Sequence, residues 1–198
     1  MAIADILLTP ATIWYAPVGE TPPDENSVDY GDDWGGNWVN LGYTTAPLTM
    51  GITRETYEVE VEQLAVPVKE KVTKETLVFE TTLAEFTADT LQVAFGGTVT
   101  ETPAGAAQRE KLELEVGGET TVDLYAFGFE GLYQDDANNQ FPVRIFVWKA
   151  NPILNGQLQF SKSQEAGIPV QIKAKPDTDK AVGKQLMKVQ KVTGSMTT

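Results

Sequence analysis

The 198-residue sequence contains no cysteine and no histidine. These absences exclude a disulfide, a Ser-His-Asp or Cys-His catalytic pair, and a zinc or iron-sulfur site of the usual type. No apolar run approaches the roughly 20 residues that span a bilayer, and segment 3–9 has neither the basic start nor the length of a secretion signal. We therefore expect no membrane association, no metal ion and no cofactor.

Basic residues are also scarce: 15 Lys and Arg stand against 28 Asp and Glu, which gives a net charge of −13. The charge is uneven, because residues 1–33 carry no basic residue, whereas residues 173–198 are rich in lysine. A chain this acidic is repelled by nucleic acid and by anionic lipid. We expect no sequence-specific nucleic-acid binding.

Most of the chain consists of short segments in which apolar and polar residues alternate, separated by Gly, Pro, Asn and Asp. This period of two is typical of half-buried strands. One helix is predicted at 88–95, because Thr87 can cap its start and Gly96 can end it. About ten short strands and one helix indicate a mainly β fold, a sandwich or barrel with the helix packed against its side.

Three local patterns predict how the strands connect. Residues 54–83 form one long hairpin whose charged connection, around 54–74, is an extended loop. Gly117-Gly118 predicts a tight hairpin between 111–116 and 121–127, since glycine supplies the positive φ angles of such turns. A further hairpin joins 158–162 to 168–174. Residues 141–149 are predicted to form a strand in which Arg144 and Lys149 are the only charges, and its length and aromatic content predict a central position.

Two further segments are polar and irregular. Residues 18–37 combine prolines, glycines and acids and are expected to form a long surface loop. Residues 178–198 are expected to form a polar, Lys-rich arm after a single domain at 1–177.

The sequence offers only weak signals for a metal site or an enzyme. The loop from Asp24 to Asp33 has clustered carboxylates, but Val28 stands where a calcium loop needs an oxygen ligand. Paired carboxylates leave a retaining glycosidase open in principle, and Trp14, Trp34 and Trp38 would suit a sugar platform. Buried anchoring is the commoner role of tryptophan in β proteins. We expect no enzymatic activity.

Three stretches carry a resemblance to a known family. They are ATIWYAPVG at 11–19, WVNLG at 38–42 after the acidic loop, and GIPVQIKAKPD at 167–177. In this order they resemble the major tail tube proteins of long-tailed bacteriophages. The resemblance implies a β-sandwich or half-barrel with one flanking helix, similar to the tube of type VI secretion, and hexameric rings stacked into a hollow tube.

The resemblance also implies a structural role in the virion tail, with assembly in the host cytoplasm around a tape-measure protein and contacts to tail terminator and baseplate or tip proteins. DNA would be present only in transit. A negatively charged wall would let DNA slide, whereas a basic wall would hold it. We expect a glutamate-bearing strand face to line the channel, and the candidates are Glu58, Glu60, Glu62, Glu113 and Glu115.

Stacking of rings requires segments that reach beyond one ring, and opposite charges on neighbouring copies would favour one register. The candidates are Asp24, Glu25, Asp29, Asp32, Asp33, Lys69, Glu70, Lys71, Lys180, Lys184 and Lys188. Two alternatives remain open from the sequence: another β-rich phage structural protein, such as a head decoration or neck component, or a carbohydrate-binding module.

Overall fold

The computed structural model describes residues 9–64, 66–118, 120–134, 139–158 and 166–194. Ten strands and one helix follow each other along this part of the chain. They are β1 (Thr12–Pro17), β2 (Val39–Asn40), β3 (Thr44–Val59), β4 (Lys69–Leu83), α1 (Ala88–Phe95), β5 (Thr98–Thr102), β6 (Lys111–Glu115), β7 (Tyr125–Gln134), β8 (Gln140–Leu154), β9 (Ile168–Ala174) and β10 (Met187–Lys191).

Strand β8 organises the main sheet. The strand order is β2-β1-β7-β8-β9-β4-β3, and β10 also pairs with β8. One edge of β8 pairs with β7, whereas the other edge is divided between β10, opposite Val143–Val147, and β9, opposite Ala150–Leu154. The two halves of β8 therefore belong to different parts of the sheet. This confirms the central position predicted for 141–149.

The eight-stranded sheet folds over on itself. Strands β4 and β7 are three positions apart in the sheet order, which corresponds to about 14 Å in a flat sheet. Phe79 on β4 and Phe129 on β7 nevertheless stack with their ring centroids 4.5 Å apart. The β9-β4-β3 part must therefore face the β1-β7 part, so that one sheet supplies both layers of a β-sandwich. The core between them contains Ile13, Tyr15, Leu77, Phe79, Phe127, Phe129, Val147, Val170 and Ile172.

Helix α1 flanks this sandwich where the sequence predicted it. Thr87 accepts a hydrogen bond from the Thr90 backbone N–H, and Gly96 ends the helix with φ 69°. The buried residues of the helix are Thr90, Val93 and Ala94, and Leu91 and Phe95 pack partly buried against the core. The mainly β fold with one flanking helix is thus confirmed.

The hairpin predicted at Gly117-Gly118 is wrong. Strand β6 pairs with the preceding strand, β5, in antiparallel orientation, with Thr98 opposite Glu115 and Thr102 opposite Lys111. These two strands form a separate sheet. Strand β7 instead joins β1 and β8. The glycine pair does adopt positive φ angles, but the strands on either side of it enter different sheets.

Two other predictions require correction, and one cannot be compared. The long hairpin predicted over 54–83 is present as part of the antiparallel β3–β4 pair. Its outer part, 54–74, is not an extended loop throughout, because Arg54–Val59 and the segment from Lys69 onward belong to this ladder. Residues 178–198 are not a separate arm throughout, since β10 belongs to the main sheet. Residues 159–162 of the predicted 158–174 hairpin lie outside the described residues, and β9 pairs with β4 and β8.

Candidate assembly surfaces

The β3–β4 hairpin is buried at its base and exposed at its outer end. Leu77 and Phe79 are in the core, but every residue of Arg54–Val59 and of 69–75 is exposed. A strand pair packed on the body would bury at least one face. The outer hairpin therefore projects from the body as a two-stranded ribbon.

The register sorts the side chains of this ribbon into two faces, because directly opposed residues of antiparallel strands lie on the same face. One face carries the Arg54–Glu75 ion pair, with Nε and Oε1 2.9 Å apart, and then Glu58 opposite Glu70. We call it the acidic face. Two like charges directly opposite each other disfavour the ladder unless another group neutralises them.

The other face of the ribbon is basic. A register shift between Glu55 and Thr56 leaves Thr73 as an extra residue on β4 and brings the lysines of β4 to one side. Lys74 Nζ lies 2.8 Å from Glu55 Oε1, whereas Lys71 is opposite Tyr57 and Lys69 is opposite Val59. We call this surface the basic face; it comprises Glu55, Tyr57, Val59, Lys69, Lys71 and Lys74.

The glutamates predicted to share one strand face are only partly placed so. Along β3, Glu58 lies on one face of the strand, whereas Tyr57 and Val59 lie on the other, as predicted. Strand β3 ends at Val59, so Glu60 and Glu62 belong to the connection and not to the strand. The prediction failed there because the alternation of the sequence continues beyond the last residue that pairs.

Glu113 and Glu115 lie on β6, in the separate two-stranded sheet. Both side chains are exposed, and Glu113 Oε2 is 2.7 Å from Lys111 Nζ. They share a face with the threonines of β5, because Glu113 is opposite Thr100 and Glu115 is opposite Thr98. Glu58 on β3 therefore lies in a different sheet from Glu113 and Glu115.

The acidic loop, residues 18–37, is held on the outer face of the β1-β7-β8 layer by tryptophans. Trp34 stacks on Trp14 with ring centroids 5.1 Å apart and meets Trp38 edge-on at 5.2 Å. The exposed fractions of Trp14, Trp34 and Trp38 are 5 %, 5 % and 6 %. A sugar platform requires exposed rings, so these residues do not form one, and the carbohydrate-binding alternative loses its basis.

A buried ion pair fixes the backbone of the same loop. Arg144 Nε lies 2.9 Å from Glu130 Oε1, and these side chains are 1 % and 0 % exposed. Arg144 Nη2 donates to the carbonyl of Val28 at 2.7 Å, and the Gly31 N–H donates to Glu130 Oε2 at 3.1 Å. Strands β7 and β8 thus hold the loop backbone through hydrogen bonds from and to charged side chains. A charge within an otherwise apolar strand was the only signal for this pair in the sequence.

The carboxylates of the acidic loop point outward, and all five candidates are exposed. Hydrogen bonds from the backbone and side chain of Asn26 lower the pKa of Asp24. The pKa of Glu25 is lowered by its own backbone N–H, by the Gln190 side chain and by the charge of Lys188. Asp32 accepts from the Asp29 N–H within the loop.

The C-terminal lysines lie against the body of their own chain. Lys180 Nζ is 4.5 Å from the centroid of the Trp148 ring, and Lys188 lies near Glu25. The Lys184 side chain is exposed, and its carbonyl accepts a hydrogen bond from Trp148 Nε1 at 3.0 Å. Part of the C-terminal positive charge is therefore paired within one chain.

Within the described ranges, no group of three or more carboxylates is arranged to hold a metal ion. None of the helices described here has the length and apolar character needed to cross a membrane.

A family model described as "Phage tail tube protein" matches residues 4–193, nearly the whole chain. Among curated proteins, no match was found.

Proposed function

The chain belongs to the phage tail tube protein family, and from this membership we propose that its copies assemble into stacked hexameric rings around a channel for DNA. Proteins of this family are structural components of the virion tail, so the chain is a tail tube subunit. The observation that carries the further proposal is the ribbon of 54–59 and 69–75, which is exposed on both faces and projects from a folded body.

Ring closure is supported by an unpaired sheet edge. Strand β3 is at the end of the sheet and, among the described residues, pairs only with β4. A 16-residue strand with one free edge is a template for pairing with another chain. Head-to-tail contacts between identical copies close into a ring when their rotation closes. Pairing across such a joint would use these free backbone groups.

Ring stacking is supported by the reach of the ribbon. Six residues per strand at about 3.3 Å each extend it by roughly 20 Å beyond the buried base. Its exposed apolar side chains, including Tyr57, Val59 and Val72, are typical of an interaction surface. The ribbon of one ring would contact the next, together with the acidic loop and the C-terminal lysines.

The channel wall is proposed to be acidic. DNA carries about one negative charge per 1.7 Å, so a basic wall would release counterions and bind it. A negatively charged wall would instead repel DNA weakly and let it slide. Glu58, Glu60 and Glu62, or Glu113 and Glu115, would supply this negative charge. The tape-measure protein would occupy the channel before DNA, and terminator and baseplate or tip proteins would cap the tube assembled in the host cytoplasm.

Electron microscopy of the purified protein tests this proposal. Stacked rings with sixfold symmetry and a continuous hole are expected, with a repeat equal to one ring. A protein that stays monomeric at all concentrations and salt conditions would contradict self-assembly. Closed rings that never stack would instead favour a neck or head-decoration component.

A further inference from the structure

The net charge of −13 opposes any contact between copies of this chain. Copies can approach closely only where a basic surface of one meets an acidic surface of the other. The positions of the unneutralised charges therefore indicate which surfaces meet.

Several lysines of the folded body already have partners in their own chain. Lys180 lies over the Trp148 ring, and Lys191 Nζ lies 3.7 Å from the centroid of the Tyr133 ring. Lys188 is close enough to Glu25 to lower its pKa. Part of the positive charge of these lysines is therefore already balanced within one copy.

The basic face of the ribbon differs. Lys69 and Lys71 are exposed, and within the described part of the chain neither has a carboxylate at ion-pairing distance. The register places them with Tyr57 and Val59, whose side chains are 64 % and 38 % exposed. Among the residues that the structure describes, this sheet face combines two unpaired lysine side chains with apolar area, and no element covers it.

The acidic loop has the complementary properties. Asp29, Asp32 and Asp33 are exposed, and among the residues described here none of them forms an ion pair with Lys or Arg. Asp32 accepts a hydrogen bond from the Asp29 N–H and Asp33 accepts one from the Gly35 N–H, both within the loop. Since Arg144 and Glu130 fix the backbone at 28–31, the loop is ordered before any partner arrives.

We infer that the basic face of the ribbon in one copy docks on the acidic loop of a second copy, with Lys69 and Lys71 against Asp29, Asp32 and Asp33. This inference rests on the proposed function and names the surfaces through which one copy contacts the next. The contact is head to tail, because its two surfaces are different parts of the chain.

Charge reversal in two variants tests the inference. The first variant carries Lys69→Glu and Lys71→Glu, and the second carries Asp29→Lys and Asp32→Lys. All four positions are exposed, and circular dichroism with a thermal melt verifies that both variants fold. Alone, each variant places like charges against each other, and the protein concentration needed for assembly is expected to rise by more than about tenfold.

The mixture provides the decisive measurement. In a mixture, the negatively charged ribbon of the first variant can bind the positively charged loop of the second. The unchanged ribbon of the second variant can likewise bind the unchanged loop of the first. The two folded variants should therefore co-assemble in a 1:1 ratio, measured by sedimentation and mass spectrometry of the pelleted tubes. A variant with Arg109→Glu and Lys175→Glu has the same net charge as the first and reverses exposed residues elsewhere; it should assemble well below the concentration that the first variant needs.

The inference is overturned if the first variant assembles as readily as this control, or if the folded variants fail to rescue each other. If the unchanged protein forms tubes, either result contradicts only this inference and leaves the proposed function intact. Failure of the unchanged protein to form tubes would count against the proposed function itself.

Discussion

Gly128 on β7 lies directly beneath the indole ring of Trp34. A Cβ atom placed on Gly128 would be 2.1 Å from Trp34 Cζ3 and 2.5 Å from Cη2. The tryptophan that anchors the acidic loop can reach the sheet only because this position has no side chain.

Gly128→Ala should therefore destabilise the fold by about 1–3 kcal/mol, since the ring must move within a packed aromatic cluster. Urea denaturation followed by tryptophan fluorescence measures the change. Gly131→Ala on the same strand is the control, because its nearest atom is Thr9 Oγ1 at 3.9 Å. Equal losses in the two variants would mean that contact with Trp34 is not the cause.

Arg144→Met should lower the free energy of unfolding by about 3–5 kcal/mol, because it leaves Glu130 charged and buried without its partner. The loop carbonyl of Val28 also loses its donor, so limited proteolysis should cleave within 18–37 faster than in the unchanged protein. Arg54→Met removes the exposed pair with Glu75 and should change stability by about 1 kcal/mol or less.

A double variant distinguishes the cost of the unpaired Glu130 carboxylate from the cost of the lost hydrogen bonds to the loop. Adding Glu130→Leu to Arg144→Met removes the stranded charge and should restore much of the lost stability. A double variant that is as unstable as Arg144→Met alone would show that hydrogen bonds to the loop, and not the unpaired carboxylate, dominate the loss.

Tyr15 donates a hydrogen bond from its hydroxyl to Asp89 in the first turn of α1. Burial raises the pKa of Tyr15 above its ordinary value of 10.0, and the bond to Asp89 raises it further. The protonated phenol therefore stabilises the fold fully below pH 10, and this contribution is lost as the pH rises from 10 towards the higher pKa of the folded state.

Tyr15→Phe should remove that pH dependence and, at pH 7, lower stability by about 1.5–3 kcal/mol through loss of a charge-assisted hydrogen bond. Urea unfolding at pH 7 measures the loss of the hydrogen bond, and urea unfolding at pH 9 and pH 11 measures the pH dependence. Tyr43→Phe, at a residue that is 80 % exposed, should behave as the unchanged protein does. An identical loss between pH 9 and pH 11 with and without the Tyr15 hydroxyl would refute the assignment.

The absence of cysteine makes the channel wall accessible to a labelling test. Glu58→Cys and Glu113→Cys are the only thiols in their respective variants, so a bulky polyethylene glycol maleimide reports on one site at a time. Both should react in the monomer, because both residues are exposed. In tubes, the residue that lines the channel should be protected. Full reaction of both thiols in tubes would exclude Glu58 and Glu113 from the wall.

Local signals predicted the elements whose causes are local. Thr87 and Gly96 define the ends of α1 because capping involves residues within one turn of the helix. The alternation of 57–59 was assigned correctly for the same reason. The glycine pair at 117–118 misled because its positive φ angles are a local property, whereas strand pairing depends on partners far away in sequence.

The acidic surfaces show the same division. The sequence located the exposed carboxylates of 24–33 and favoured buried tryptophans, but it did not indicate that Trp34 would lie beneath this loop. The charge of Arg144 within an apolar strand likewise did not indicate that Arg144 would hold the loop backbone. The basic face depends on a single extra residue, Thr73, which shifts the register of β4. Such a shift arises from pairing along the whole ladder and leaves no local pattern.

By itself, the sequence determined the mainly β composition, the position of the helix and the strongly acidic charge, and it excluded chemistry that needs histidine or cysteine, because each follows from residue types or from neighbours a few positions apart. Only the tertiary structure decided that one sheet folds into two layers, that Glu130 pairs with Arg144 beneath the loop, and that the lysines of β4 share a face. These features depend on contacts between distant residues, whose free energy is gained only when the whole chain packs.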